Sequence, residues 1–307
     1  MSDTATPLSQ ISMVAANFGY ADSFADALED WFNFLGGKPG EVVVVDGGSD
    51  AKTQAVYWQL FQVGKIDKLQ VIRKDHPDNH RDLCFVQEHT AGAIASKPYL
   101  LWFKTDALPF RKGHDDWLTE AFGYLERPDT FAIGGAFNIP SKHHDSPWPG
   151  WYFSDKCSEN FALMKRSIFI EAMEEFAGNY IASGFRGENP AETTRQARYL
   201  VEVAFERYIQ AHQKFTLVRV EDPTWTVFHT NATNADLPRV RKEYLARRNI
   251  EKFLNQKTLD RYWGGCFYGK PPKRWERFKW FIGDSPLGPA WKFVKRLLGA
   301  KPASAGR

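Results

Sequence analysis

The sequence predicts an α/β protein built on a doubly wound, mostly parallel sheet. Two observations predict it. Short apolar runs alternate with stretches of helical periodicity over the first part of the chain, the pattern of strands joined by crossover helices. The run "EVVVVD" (41–46) is β-branched and too short for a helix, and a strand apolar on both faces suits the interior of a parallel sheet.

The elements follow in order. "ISMVAANFG" (11–19) reads as a strand entering a loop, and "SFADALEDWFNFLG" (23–36) as a helix stopped by Gly36 and Gly37. After "EVVVVD" comes the helix "KTQAVYWQLFQVG" (52–64), capped by Asp50 or Ser49. "KLQVIRK" (68–74) is a strand and "RDLCFVQEHTAGAIAS" (81–96) a helix. "YLLWFKTD" (99–106) is a second buried strand ending in aspartate, followed by the helix "DDWLTEAFGYLE" (115–126).

Ligands of such sheets sit at the carboxyl ends of the strands. Asp46 and Asp106 each end a strand there. A lone aspartate in that position is a turn or cap residue. Two at successive strand ends, one followed by Gly47 and Gly48, make a site where a ligand reaches the backbone.

The net charge of +3 hides a division. Residues 239–307 hold 18 Lys and Arg against 5 Asp and Glu, while residues 1–238 hold 22 against 32. The asymmetry suggests an acidic catalytic or binding body (1–238) with a basic appendage (239–307) that seeks an anionic surface. The three cysteines, far apart and odd in number, suit neither a disulfide framework nor a cysteine zinc site, and fit a reducing cytoplasm. The first ten residues lack the regions of a signal peptide, and no apolar run approaches the roughly 20 residues that span a bilayer.

The order of motifs resembles a family 2-type glycosyltransferase with the GT-A fold. "VAANFG" matches its first strand and polar turn, and "VVVDGGSD" its strand–aspartate–serine–aspartate segment. "VQEHTAGAIAS" matches its Gly- and Ala-bearing helix, and "WFKTDALPF" its DxD strand. "SENFALMKRSIFIEA" (158–172) resembles its acceptor-side segment, and "YLVEVAFERYIQAHQKFTLV" (199–218) its glutamate–aspartate helix with the strand behind. The resemblance covers residues 10–230 or so.

It implies an inverting transfer from a nucleotide-sugar donor to a glycan or lipid-linked glycan, in polysaccharide biosynthesis. Asn17 would lie beside the base, and Asp46 would bind the base or ribose. Asp106 would meet Mn²⁺ or Mg²⁺ on the diphosphate, joined by His229 in "PTWTVFHTN", unless that histidine is structural. Glu202 would deprotonate the acceptor hydroxyl.

Two residues depart from the pattern. Lys104 stands where the first aspartate of DxD belongs. Residues two apart on a strand share a face, so Lys104 either faces the diphosphate beside Asp106 or is a solvated strand-end lysine. The glutamate–aspartate pair reads Glu202-Val203, which leaves Glu202, or Glu206 one turn later, as the base. In "SKHHDSPWPGWYFSD" (141–155), Trp148 and Trp151 are acceptor-side candidates for stacking on sugar rings, or loop packing.

In the tail, "PPKRWERFKWFIG" (271–283) and "GPAWKFVKRLLG" (288–299) set Trp, Phe and Leu at helical spacing among Lys and Arg. That is the pattern of helices lying in an anionic membrane interface. It predicts a cytoplasmic enzyme held peripherally on the inner face of a membrane. No nucleic-acid module is present to favour a polynucleotide partner. The rival readings are a nucleotidyltransferase, for which "AANFGYADS" lacks a basic phosphate loop, and a non-catalytic membrane- or polyanion-binding protein on a degenerate transferase scaffold, which Lys104 and Val203 favour.

Overall fold

A computed structural model describes residues 6–72, 83–134, 143–185, 201–219, 224–230, 232 and 234–247. Both aromatic tail segments, and the membrane contact expected of them, lie outside the described residues. No helix among the described residues is long and apolar enough to cross a membrane.

In chain order the elements are β1 (Ile11–Asn17), α1 (Phe24–Leu35), β2 (Glu41–Asp46), α2 (Ala51–Gln62), β3 (Lys68–Val71), α3 (Leu83–Ile94), β4 (Tyr99–Phe103), β5 (Ala107–Arg111) and α4 (Trp117–Leu125). Then come β6 (Thr130–Gly134), β7 (His143–Asp145), β8 (Trp151–Ser154), β9 (Phe161–Lys165), α5 (Arg166–Ala182), α6 (Val201–Ala211), β10 (Phe215–Arg219), β11 (Trp225–His229) and α7 (Leu237–Leu245).

Nine strands form one sheet in the order β3-β2-β1-β4-β9-β6-β10-β8-β7. Parallel ladders join β3, β2, β1 and β4, and β10 runs parallel to β6. Only β9 and β8 run against the rest. The sheet is therefore mostly parallel and flanked by helices, as the sequence predicts. β5 and β11 pair separately as a small antiparallel ribbon.

The valine run shows why β2 is central. Val42 and Val44 enter one apolar cluster, with Trp31, Phe34, Trp117, Phe161 and Trp225. Val43 and Val45 enter a second, with Phe85, Phe169, Phe205 and Tyr208. Alternate side chains of a strand point to opposite faces, so β2 is covered on both sides. Each buried valine contributes about 1.5 kcal/mol or more over an exposed one. Gly36 ends α1 at φ 89°, a left-handed conformation that glycine adopts without steric penalty. Asp50, rather than Ser49, caps α2, its carboxylate accepting from the Thr53 amide at 2.8 Å.

Two connections bring distant residues to the carboxyl edge of the sheet. β9 is antiparallel to β4 and pairs Phe161 with Phe103, so the residues just before β9 arrive beside the end of β4. β11 pairs His229 with Ala107, and the Thr230 amide donates to the Asp106 carbonyl at 2.9 Å. The segment 158–160, His229 and the Lys104–Asp106 turn thus share one edge.

Candidate active site

The loops after β1 and β2 form a dense polar knot. The Asp46 carboxylate is fully buried. It accepts from the Ser49 amide at 3.1 and 3.0 Å, from the Ser49 hydroxyl, and from the Gln54 amide at 3.2 Å. Asn17, also buried, donates to the Gly19 carbonyl at 3.0 Å and to the Tyr57 hydroxyl, and accepts from the Thr105 hydroxyl at 2.6 Å. Gln87 donates to the carbonyls of Asn17 at 2.9 Å and Val45 at 3.1 Å. A Cβ on Gly47 would lie 2.7 Å from the Gln87 amide, which is why glycine follows Asp46.

Asn17 and Asp46, expected to bind base and ribose, therefore spend their hydrogen bonds inside the protein. These bonds fix the loop backbone at the sheet edge. Thr105, the middle residue of Lys104-Thr105-Asp106, ties that turn to β1.

Asp106 and His229 meet at this edge. Nε2 of His229 is 3.3 Å from Oδ2 of Asp106, and the two side chains are 15% and 14% exposed, enough to be reached by a ligand. On the far side of the ring, the Asn160 amide lies 3.1 Å from Nδ1. Burial works to raise the Asp106 pKa, but hydrogen bonding and charge from His229, with Lys104 beyond, hold it below the usual carboxylate range.

One carboxylate and one imidazole fit a divalent ion of the Mn²⁺ or Mg²⁺ kind, which takes few protein ligands and completes its shell with phosphate and water. The Asn160 amide nitrogen on Nδ1 orients the imidazole and turns its Nε2 toward Asp106. No group of three or more His, Cys, Asp or Glu side chains among the described residues is placed to hold a metal by itself.

Glu202 lies in the first turn of α6. Its Oε1 accepts from the Ser158 hydroxyl at 3.0 Å and the Glu159 amide at 2.8 Å. Its Oε2 makes no hydrogen bond among the described residues, and that leaves one basic oxygen. Glu206, the other base candidate, is engaged at the surface by Lys156 at 3.7 Å.

Lys104 is half-buried in the field of Glu202, Glu88, Glu159 and Asp106. Burial disfavours its charge, but those carboxylates outweigh burial and raise its pKa above the usual lysine range. Lys104 is thus no freely solvated lysine. Glu88, Glu159 and Asn160 are site residues that the sequence reading missed. The quoted segments "VQEHTAGAIAS" and "SENFALMKRSIFIEA" contain them, but only the reversed strand β9 brings Glu159 to Glu202 and Asn160 to His229.

The two acceptor-side tryptophans are placed elsewhere. Trp151 is 3% exposed, with Tyr124 at 5.5 Å and Trp225 at 5.9 Å between ring centres. Its faces are core surface, so the expected sugar-stacking role gives way to packing. Trp148 is half-buried against Tyr124 and Phe153, under the Arg127 guanidinium at 4.7 Å. Neither touches Asp106, His229, Lys104 or Glu202 among the described residues.

No protein-family model matches the chain, and no curated protein matches it. Among solved structures, it is similar to the mannosyltransferase PcManGT from Pyrobaculum calidifontis in complex with GDP-Man and Mn²⁺. The identity is 11%, over 95% of this chain and 80% of that one, with a TM-score of 0.46. GalNAc-T7 with UDP, GalNAc and Mn²⁺ is similar at 11% identity, over 93% of this chain and 57% of that one, with a TM-score of 0.47. For S. aureus TarS the values are 10%, 90%, 44% and 0.44. The chain spans about half the length of the latter two.

Proposed function

We propose that the protein is an inverting glycosyltransferase that takes a sugar from a nucleotide-sugar donor to a hydroxyl of a glycan or lipid-linked glycan. One observation carries the reading. Asp106 and His229, paired at the carboxyl edge of an α/β sheet, adjoin the segment 158–160 that also holds Glu202, whose second carboxylate oxygen makes no hydrogen bond among the described residues.

The chemistry follows from these groups. The loop fixed by Asn17 and Asp46 would present its backbone to the nucleoside. Asp106 and His229 would hold Mn²⁺ or Mg²⁺, which when bound supplies positive charge to the departing diphosphate. The charge balance favours such an ion. Carboxyl groups outnumber Lys104 here even with Glu159 kept protonated by burial, and an anionic diphosphate would gain from a further cation. Glu202 Oε2 would take the proton of the acceptor hydroxyl as its oxygen attacks the anomeric carbon, while the bond to the diphosphate breaks on the opposite face.

The basic tail would hold the enzyme on the cytoplasmic face of an anionic membrane, where a lipid-linked acceptor lies. Its amphipathic sequence supports this.

The test is a thermal-shift panel of nucleotide sugars, with and without Mn²⁺, followed by transfer assays on the donor that binds. A ligand at 100 times its Kd adds about 2.7 kcal/mol of stability. Binding that needs Mn²⁺ and disappears in Asp106→Ala and His229→Ala is the expected result. Binding without turnover on any acceptor would instead leave the non-catalytic scaffold.

A further inference from the structure

At the opposite edge of the sheet lies an open cleft of about 330 Å³, a volume in the range of small-ligand sites. β4 and β6 both run against β9, so the start of β6 is at the amino edge, away from Asp106 and His229. Phe215 pairs with Thr130 there and lines the cleft. Phe153 of β8 lines it too, with the two half-buried rings 3.9 Å apart between centres. His144 pairs with Phe153 across β7 and β8, which puts both side chains on one face. Gln210 in the last turn of α6, Gln213 just after it and Asp155 complete the polar wall.

We propose that this cleft is a second carbohydrate-binding site, which holds a stretch of glycan chain away from the reaction centre. That the chain held there is the acceptor rests on the glycosyltransferase reading; the binding of carbohydrate does not.

A sugar ring has an apolar C–H face and a rim of hydroxyls, and the cleft meets both. Phe153 and Phe215 offer the apolar surface. A side-chain amide both donates and accepts, as a hydroxyl does, and Gln210 and Gln213 are both exposed. The Gln210 amide has a long hydrogen bond, 3.5 Å, to Glu206. Oδ1 of Asp155 is buried without a hydrogen-bond partner among the described residues. Such an oxygen is costly, and a ligand hydroxyl is the donor it lacks. Charge argues against an anionic ligand. Lys214 and Asp155 carry opposite signs, and Nζ of Lys214 donates to the Pro128 carbonyl at 2.5 Å. Gln213 stands at φ 51°, the left-handed conformation that glycine usually takes after a helix. Strained positions of this kind gather at ligand-binding sites.

α6 joins the two sites. Its first turn holds Glu202 against the segment 158–160, and its last turn carries Gln210. The distance between them is about 12 Å along the helix. Glu206, paired with Lys156 at 3.7 Å, lies midway. A single sugar cannot span that distance, so a ligand engaged at both ends is an oligosaccharide.

The probes are cellohexaose, maltohexaose, chitohexaose and mannohexaose, each titrated into the full chain and followed by saturation-transfer NMR. At least one should bind in the absence of nucleotide. Gln210→Ala/Gln213→Gly removes both amides and leaves glycine at the left-handed position, so Tm should not fall. It should weaken the bound oligosaccharide by about tenfold and leave the affinity for nucleoside diphosphate with Mn²⁺ unchanged. Phe215→Leu keeps an apolar side chain but loses the ring, and should weaken the oligosaccharide as well. In transfer assays the double glutamine variant should raise KM for the hexasaccharide by about tenfold with kcat unchanged. Transfer to the matching monosaccharide glycoside should stay as in the parent.

Failure of all four probes to bind overturns the proposal, as does binding that both variants retain. If Phe215→Leu does not fold, the glutamine variant alone decides. A hexasaccharide KM unchanged in a variant that has lost binding would overturn the acceptor role. If oligosaccharide binding depends on the cleft but the parent transfers no sugar from any donor, the carbohydrate site stands and the glycosyltransferase reading falls.

Discussion

Glu41 sits at the start of β2, where the sheet leaves almost no room for water; the residue is 5% exposed. Burial raises its pKa, yet Lys68, Ser12 and Ser96 donate to the carboxylate at 2.5 to 2.7 Å and bring it down to about 2. A depressed acid stabilises the fold above its ordinary value of 4.5 and loses that contribution as pH falls towards about 2. The shift corresponds to about 3 kcal/mol. Glu41→Gln should cost about that much at pH 7, and the gap between the two proteins should close between pH 4.5 and 2 in urea titrations. A pH-independent gap would mean that packing, not charge, sets the cost.

Asp46 shows what a sequence hides at this scale. An aspartate at a strand end looks the same whether it faces a ligand or its own loop. Here both oxygens serve Ser49, with Gln54 as a third donor. Asp46→Asn, which sets an amide N–H against the Ser49 donors, should cost about 1–3 kcal/mol and weaken nucleotide binding through the loop. An unchanged melting curve with lost binding would return Asp46 to direct contact. Glu202→Gln tests a different role, since a general base contributes on the order of 10²–10⁴-fold in rate. Transfer should fall by that order while nucleotide binding survives, and retained turnover would move the base elsewhere.

Among elements, β1 to β4 and α1 to α4 were legible because their periodicity and their boundaries agree, while the short β5 between them was not. β2 carries its four valines between Gly40 and Gly47, and α2 starts at a capping aspartate. The later strands were less legible. β6, β7, β8 and β9 are three to five residues long, too short for a period to declare itself. The reversal of β9 is a pairing between distant segments, which local pattern cannot encode. It brings Glu159 and Asn160 to the site, and so those residues went unread.

α3 can be tested directly, because it carries Gln87 and Glu88 and packs on α5. A Cβ on Gly92 would lie 2.4 to 2.9 Å from the Phe169 ring. In an exposed helix Gly→Ala stabilises by about 1 kcal/mol. Against a buried ring the sign should reverse, and Gly92→Ala should cost about 1–3 kcal/mol by overpacking. Chemical denaturation measures it. A stabilised variant would show that the two helices have slack between them.

For the whole molecule, charge is divided more sharply than structure. The acidic body, with 22 basic against 32 acidic residues, would be repelled by an anionic leaflet, so the proposed attachment rests on residues 239–307 with their excess of Lys and Arg. Each Lys or Arg near such a surface contributes about 1 kcal/mol, and buried Trp, Phe and Leu add about 25 cal/mol per Å². Salt screens the first contribution and leaves the second. Raising salt should therefore weaken, without abolishing, the binding of the full chain to vesicles rich in anionic lipid. A chain ending at Lys270 lacks both aromatic segments; it should lose most vesicle binding in a sedimentation assay and keep its affinity for nucleotide. Should it pellet with vesicles as fully as the intact protein, the body itself carries the membrane contact. If it instead loses nucleotide binding together with its melting transition, the tail belongs to the fold.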